Sequence, residues 1–132
     1  MTLAHTSMTY EFFALTDKGR VRTNNEDAVT VDREAQVAIL ADGMGGYNAG
    51  EVASGIAVKT IVNLVREAAE REDLAAIDAS TGLTRRSIVL RDAIQRANKI
   101  IFQTAKTQPQ CEGMGTTVVG ALFYDNHVTV AH

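Results

Sequence analysis

The spacing of apolar residues changes along the 132-residue chain. In the N-terminal third they form short runs at residues 10–16, 28–32 and 37–42, separated by polar or glycine-containing turns. Short runs rich in aromatic and β-branched residues predict three strands. The third run is apolar without interruption until Asp42, which predicts a strand that is buried on both faces.

The middle of the chain has helical periodicity. Apolar residues recur at intervals of three and four between Glu51 and Glu70, which predicts a helix with one apolar face. The same spacing predicts a second helix from Ser87 to Thr107, with Ser87 as its N-cap. Two helices of similar length joined by a modest connection are expected to pack antiparallel on one face of a sheet.

The C-terminal part returns to the strand pattern. Residues 107–115 are expected to form a loop and residues 116–124 a strand, and the turn Asp125-Asn126 leads into a return strand at residues 127–131. The sequence ends at His132, directly after this apolar strand. We therefore expect the strand to form an open sheet edge that is available for pairing with another copy.

Composition bounds the class of protein. The chain has 45% hydrophobic and 22% charged residues and a net charge of -3, so no basic field favours nucleic acid. It has no apolar run long enough to span a membrane and begins without a signal-peptide pattern. The single cysteine, Cys111, cannot form an internal disulfide. These features predict one soluble, cytoplasmic domain.

Charged residues lie at the ends of the predicted strands. Asp42 and Gly43 follow the apolar run, and Arg22 precedes the adjacent carboxylates Glu26 and Asp27. A lone Asp-Gly pair usually marks a turn, and a lone arginine is usually solvated, but their combination favours a site. Carboxylate oxygens suit magnesium or manganese, and a guanidinium fork matches phosphate. Adjacent residues of an extended chain point to opposite faces, so both can serve one site only if the backbone bends there or one of them acts through water. Of the two, we expect Asp27 to lie closer to a metal than Glu26.

Three motifs occur in a characteristic order: Gly19-Arg-Val-Arg-Thr-Asn-Asn-Glu-Asp27, then Leu40-Ala-Asp-Gly-Met-Gly-Gly46, then Gly113-Met-Gly-Thr-Thr117. Each motif alone is weak, but the set, with two helices between the second and third, is specific. Over residues 10–132 the chain resembles the N-terminal half of the metal-dependent serine/threonine protein phosphatases (PPM, or type 2C), and in particular their bacterial branch.

The resemblance implies an α+β fold, the α/β/β/α sandwich of these phosphatases. This part of it should have about five strands, with two long antiparallel helices on one sheet face. Residues 1–8 are expected to be loosely held, and residues 9–132 to form the N-terminal part of the catalytic domain. The implied activity is hydrolysis of phosphoserine and phosphothreonine by a water that two manganese or magnesium ions activate. The implied partners are phosphoproteins, in opposition to a serine/threonine kinase, with neither nucleic acid nor membrane.

The resemblance also implies residue roles. Arg22 would bind the substrate phosphate, Glu26 and Asp27 would hold metal-bound waters, Asp42 would bridge the two metals, and the Gly43 carbonyl would be a ligand of one metal. The third motif would be mainly structural. Two departures stand out: the later aspartates of the family's second half are not in this sequence, and Met44 occupies a position where some eukaryotic members carry a histidine.

Two other interpretations of the sequence remain. Residues 45–50 have the glycine spacing of a P-loop, but Glu51 stands where a lysine is needed, and a carboxylate repels phosphate. The chain could instead be a catalytically inactive fragment that acts as a metal-binding or interaction module. Further Asp-containing motifs encoded beyond His132 would favour the phosphatase. The histidines are scattered at positions 5, 127 and 132, which argues against a zinc site.

Overall fold

A computed structural model describes residues 8–132, so the N-terminal segment expected to be loosely held lies outside the described residues except for Met8. The elements in chain order are β1 Asp27–Asp32, β2 Val37–Met44, α1 Ala49–Arg71, α2 Arg85–Thr107, a 3-10 turn Pro109–Cys111, β3 Gly115–Thr116, β4 Val119–Tyr124 and β5 His127–Ala131. Five strands in one sheet and two long helices confirm the expected partial α+β fold.

The sheet has the strand order β1-β2-β4-β5, and β3 also pairs with β2. All pairings are antiparallel. Gly43 lies opposite Thr116, and Leu40 lies opposite Val119, so β3 and β4 keep one register along β2. The expected strand at 116–124 is therefore present, but it is interrupted at residues 117 and 118. The expected loop at 107–115 contains the 3-10 turn.

The core lies between the two helices and one face of the sheet. Along β2, Val37, Ile39 and Ala41 are buried, whereas Leu40 and Met44 are 51% and 65% exposed. The prediction that this strand is buried on both faces is wrong for the described chain. Both helices pack on the same side of the sheet, so the alternate side chains of an unbroken apolar run have no layer above them.

The uncovered side of the sheet, called the open face below, is mostly apolar. Strand register assigns its side chains, because residues that are directly opposite in a ladder share a face. They are Asp27, Val29, Val31, Ala38, Leu40, Asp42, Met44, Val119, Ala121, Phe123, Val128 and Val130. Only one corner of this face, at Asp27 and Asp42, is acidic.

The strand expected at residues 10–16 does not form. The segment makes no ladder with any described strand, and a strand needs a hydrogen-bonded neighbour. Aromatic packing holds it instead: the rings of Tyr10 and Phe12 lie 5.4 and 5.3 Å from the ring of Phe123 on the open face. The Tyr10 hydroxyl also donates to the Asp125 carbonyl. Phe13 remains exposed.

The helices occur where the periodicity placed them, but α1 begins two residues earlier than expected and α2 begins three residues earlier. The N-cap of α2 is Thr84 and not Ser87: the Thr84 Oγ1 accepts a hydrogen bond from the Ser87 N–H at 3.3 Å. Ser87 is the third residue of the helix (N3), and its main-chain N–H is the donor in this capping hydrogen bond. The hairpin turn and return strand are confirmed, with Asp125 at φ 49. No helix among residues 8–132 is long and apolar enough to cross a membrane.

One ion pair fastens the end of β1 to α1. Asp32 accepts hydrogen bonds from the Ala35 N–H at 2.8 Å and from Arg66 Nε at 3.0 Å. These two interactions, with the Ala35 N–H first, hold the pKa of Asp32 below its ordinary value. A carboxyl group with a lowered folded pKa stabilises the fold above its unfolded pKa of about 3.9, and this stabilisation is lost as pH falls through the folded value.

We therefore expect Asp32→Asn to lower the urea midpoint of unfolding at about pH 6, and to lower it progressively less as the pH falls below about 4. The control is Asp92→Asn, because the described partner of Asp92 is the neighbouring Arg91 on the exposed surface of α2. A constant difference between Asp32→Asn and the parent at every pH would contradict this role.

Candidate active site

The ladder between β1 and β2 places two carboxylates side by side. Asp27 lies directly opposite Asp42 in the antiparallel register. The next pair along is joined by a hydrogen bond from the Gly43 N–H to the Glu26 carbonyl at 3.1 Å. Hydrogen-bonded and non-hydrogen-bonded pairs alternate in an antiparallel ladder, so Asp27 and Asp42 form a non-hydrogen-bonded pair. Such pairs have the shorter Cα separation, about 4.5 Å, and the closest side chains.

Glycines bring the start of α1 against this corner of the sheet. A Cβ on Gly43 would lie 2.0 Å from the Gly50 carbonyl oxygen and 2.8 Å from the Glu26 carbonyl oxygen. A Cβ on Gly50 would lie 2.7 Å from Glu26 Oε1. The Glu26 carboxylate therefore rests at the N-terminus of α1, where the helix dipole favours negative charge. Gly43 belongs to β2, which continues to Met44, two residues beyond the end of the predicted strand.

The reciprocal hydrogen bond, from the Glu26 N–H to the Gly43 carbonyl, is absent from the main-chain bonds of the described residues. The β1–β2 ladder ends at Asp27, so this carbonyl lies just beyond the paired region. A main-chain oxygen at this position remains available to an external ligand, next to the carboxylate of Asp42.

Arg22 reaches the same corner from the irregular segment before β1. A cleft of about 400 Å³ is lined by Asp17, Lys18, Arg22, Asn24, Asn25, Glu26, Asp27, Asp42, Gly43 and Met44. The cleft therefore contains all five residues that the sequence singled out for a site. A larger cavity, of about 620 Å³, lies between α2 and residues 116–118. Its lining has no Asp or Glu side chain, so the smaller cleft is the better candidate for metal and phosphate chemistry.

Hydrogen bonds of two asparagines hold the segment that carries Arg22. Asn24 Nδ2 donates to Asn48 Oδ1 at 2.8 Å, and Asn48 is the residue that precedes α1. Asn25 Oδ1 accepts from the Asp27 N–H at 3.0 Å, and its Nδ2 donates to Thr16 Oγ1 at 2.9 Å. Neither the two asparagines nor Lys18 was predicted as a site residue, although a pair of asparagines before two carboxylates is a turn signal.

The donors present suit a hard divalent cation. Asp27 and Asp42 supply carboxylate oxygens and Gly43 a carbonyl oxygen. Magnesium is commonly held by one or two carboxylates, with water and substrate phosphate as the other ligands. Among residues 8–132, no three His, Cys, Asp or Glu side chains are grouped closely enough to hold an ion on their own. The oxygen donors of the cleft therefore suit such a cation. They are too few to fill its coordination shell, so water, substrate or other groups would supply the remaining ligands.

Comparison with known proteins defines the class. The family model described as protein phosphatase 2C matches residues 17–132. The chain is 34% identical over 130 residues to the serine/threonine protein phosphatase PstP of Mycobacterium tuberculosis, covering 98% of this chain and 22% of that protein. It is 38% identical over 120 residues to the serine/threonine phosphatase stp of Listeria monocytogenes, covering 89% of this chain and 44% of that protein.

Solved structures agree with the sequence matches. The catalytic domain of PstP in complex with two manganese ions superposes with a TM-score of 0.67 at 34% identity, over 88% of this chain and 44% of that one. PppA of Pseudomonas aeruginosa superposes with a TM-score of 0.71 at 27% identity, over 94% and 48%. The chain belongs to the protein phosphatase 2C family. It spans less than half the length of these relatives.

The contact between β2 and α1 gives a prediction about the glycines. Gly43→Ala places a methyl group within 2.0 Å of main chain, so the strand or the helix must move. We expect a loss of stability of about 1–3 kcal/mol, measured by urea unfolding. Gly46→Ala is the control, because nothing lies within 4 Å of a Cβ there, and it should be neutral or slightly stabilising. Equal effects of the two changes would contradict the packing.

Proposed function

We propose that this chain contributes to the active site of a metal-dependent protein serine/threonine phosphatase. The observation that carries the proposal is the cross-strand pair of Asp27 and Asp42, which shares one cleft with Arg22 in a chain of the protein phosphatase 2C family. The substrates are phosphoserine and phosphothreonine side chains of proteins that a serine/threonine kinase modifies. Relatives that carry the phosphatase name support this choice of substrate.

Asp42, Asp27 and the Gly43 carbonyl are the residues that would hold two divalent ions, manganese or magnesium, and Glu26 would orient water beside them. When bound, such ions neutralise the phosphate and lower the pKa of bound water. The manganese ions of the PstP catalytic domain support this choice of metal. Asp42 is suited to the bridging position because the described chain places it between Asp27 on β1 and the Gly43 carbonyl on its own strand.

Arg22 is proposed to bind the phosphate. Its planar guanidinium can donate two parallel hydrogen bonds to phosphate oxygens, which fixes the orientation of the ester as well as neutralising charge. Arg22 is exposed and lies on the same cleft as Lys18, so a dianionic group entering there meets two cations and four carboxylates. A phosphate held only by Arg22 and Lys18 would be repelled by the carboxylates, which explains why metal ions are needed between them.

Met44 lies next to this site on the exposed end of β2. A thioether has no proton to give, so this position cannot protonate the leaving serine or threonine oxygen. We therefore assign no general acid at this position. The proton would come from water, or from groups beyond the described residues.

The second candidate is an inactive module that binds metal or a partner protein. The observation favouring it is the open face, where Leu40, Val119, Val128 and Val130 are each about half exposed. An apolar surface of this kind favours association with another protein layer. In this case the carboxylate pair would still bind a cation, but the chain would release no phosphate.

Metal dependence separates the two candidates. We expect the longest natural protein that contains this sequence to release phosphate from a phosphothreonine peptide only when manganese or magnesium is added. Asp42→Asn should reduce that rate by more than about 100-fold, because the variant loses a charged ligand while keeping its shape. Undiminished release in excess chelator, or by Asp42→Asn, would exclude the phosphatase mechanism. The 132-residue chain assayed in parallel should show little turnover.

Phosphate binding by Arg22 is tested by kinetics. We expect Arg22→Ala to raise the KM for the phosphopeptide about tenfold, equivalent to about 1.4 kcal/mol, with a smaller change in kcat, because the guanidinium binds phosphate in the ground and transition states alike. Arg33→Ala is the matched control, since Arg33 lies in the turn at the opposite end of β1 and β2. A loss confined to kcat would contradict this role.

A further inference from the structure

The ladder on the second side of β2 is interrupted beside Asp42. Register places Thr117 directly opposite Asp42, because Gly43 pairs with Thr116 on one side of the gap and Leu40 with Val119 on the other. No residue is inserted or deleted, so the interruption is not a bulge. It is a local change in hydrogen bonding at the proposed metal ligand.

The Asp42 N–H donates to a different acceptor from the one used in a regular antiparallel pair. The Thr117 N–H donates to the Asp42 carbonyl at 2.9 Å, as in a regular antiparallel pair. The reciprocal bond of such a pair would run from the Asp42 N–H to the Thr117 carbonyl. Here the Asp42 N–H donates to the Thr117 side-chain Oγ1 at 3.2 Å, and the Thr116 hydroxyl donates to the Thr117 carbonyl at 2.9 Å.

Both main-chain groups of Asp42 therefore face one threonine. The Thr117 hydroxyl accepts from the Asp42 N–H and also lies 3.5 Å from the Asp42 carbonyl oxygen. On the other side of Asp42 stands Asp27, in a pair without main-chain hydrogen bonds. The main-chain N–H and C=O of Asp42 itself are therefore hydrogen-bonded only on the Thr117 side.

We propose that Thr117 is a positioning residue that sets the orientation of the Asp42 carboxylate through its hydroxyl. The expected effect of this hydrogen bond on metal affinity rests on the proposed function. The hydrogen bond itself is independent of that function. The hydroxyl holds the Asp42 N–H where the main-chain acceptor of a regular pair is not used.

The direct test is hydrogen exchange of the Asp42 amide, measured by NMR in the 132-residue chain. Thr117→Val removes the hydroxyl while keeping the shape of the side chain. We expect the Asp42 amide to exchange about tenfold faster in this variant, the consequence of losing one hydrogen bond. Thr117→Ser keeps the hydroxyl and should remain within about threefold of the parent.

The control is Thr30→Val on β1, which makes the same chemical change in a strand residue that has no described side-chain hydrogen bond to Asp42. It should leave exchange at Asp42 unchanged. Equal exchange in the parent and Thr117→Val would overturn the proposal, and so would an Asp42 amide that is unprotected in the parent. If Thr117→Val does not fold by circular dichroism, Thr117→Ala is measured in its place.

A manganese titration of the same samples tests the link to function. Paramagnetic broadening of the Asp27 and Asp42 amides should require about tenfold more manganese in Thr117→Val, with recovery in Thr117→Ser, as expected when a partner of a metal ligand is removed. Unaltered manganese affinity with faster exchange at Asp42 would overturn the positioning role while leaving the hydrogen bond intact. Absence of manganese binding in the parent would instead count against the proposed function.

Discussion

The structure depends on two carboxylates that face each other across a strand pair. Like charges placed directly opposite in a ladder are unfavourable, and the non-hydrogen-bonded geometry of Asp27 and Asp42 brings them close. The surrounding contacts oppose any relaxation of this arrangement. Gly43 and Gly50 allow β2 and α1 to approach closely on one side, and Thr117 contacts the main chain of Asp42 on the other. A cation between the carboxylates would convert this repulsion into binding energy.

The position of the pair also explains the uneven burial of the sheet. Both helices cover one face, which leaves the alternate residues of β2 on the open face, from Ala38 through Leu40 to Asp42. The carboxylates stand at the corner of an apolar surface to which Tyr10 and Phe12 attach through the ring of Phe123. A protein layer laid on this surface would bring its own side chains to the edge of the acidic corner. That geometry is compatible with relatives more than twice as long as this chain.

Periodicity was sufficient to predict the helices and the strands that pair with close neighbours in sequence. The alternation at 28–32 and 127–131 and the helical spacing at 51–70 correspond to β1, β5 and α1 within two residues. The pattern failed at residues 10–16, because aromatic residues favour a strand but only a partner can supply its ladder. It failed also for the second face of β2, since an apolar residue records a preference for burial and not the presence of a covering layer.

The residues of the site could be predicted from the sequence, but their arrangement could not. The identities of Arg22, Glu26, Asp27, Asp42 and Gly43 were available from motif chemistry, and the described structure gathers all five on one cleft. Their metal and phosphate roles remain proposals. Strand register, which no local pattern reveals, decides that Asp27 and not Glu26 lies opposite Asp42. The exchange of acceptors at Thr117 depends on a side-chain rotamer and on a partner 75 residues away, so sequence could not indicate it.

Anomalous diffraction from crystals of this chain grown with manganese would show whether the pair of Asp27 and Asp42 binds a metal ion. We expect an anomalous peak in the cleft, with a carboxylate oxygen of Asp42 about 2.1 Å from the ion and the Gly43 carbonyl and Asp27 directed toward it. Peaks that occur only at other carboxylates, with Asp42 turned away from any ion, would contradict the claim that the cross-strand pair is a metal site.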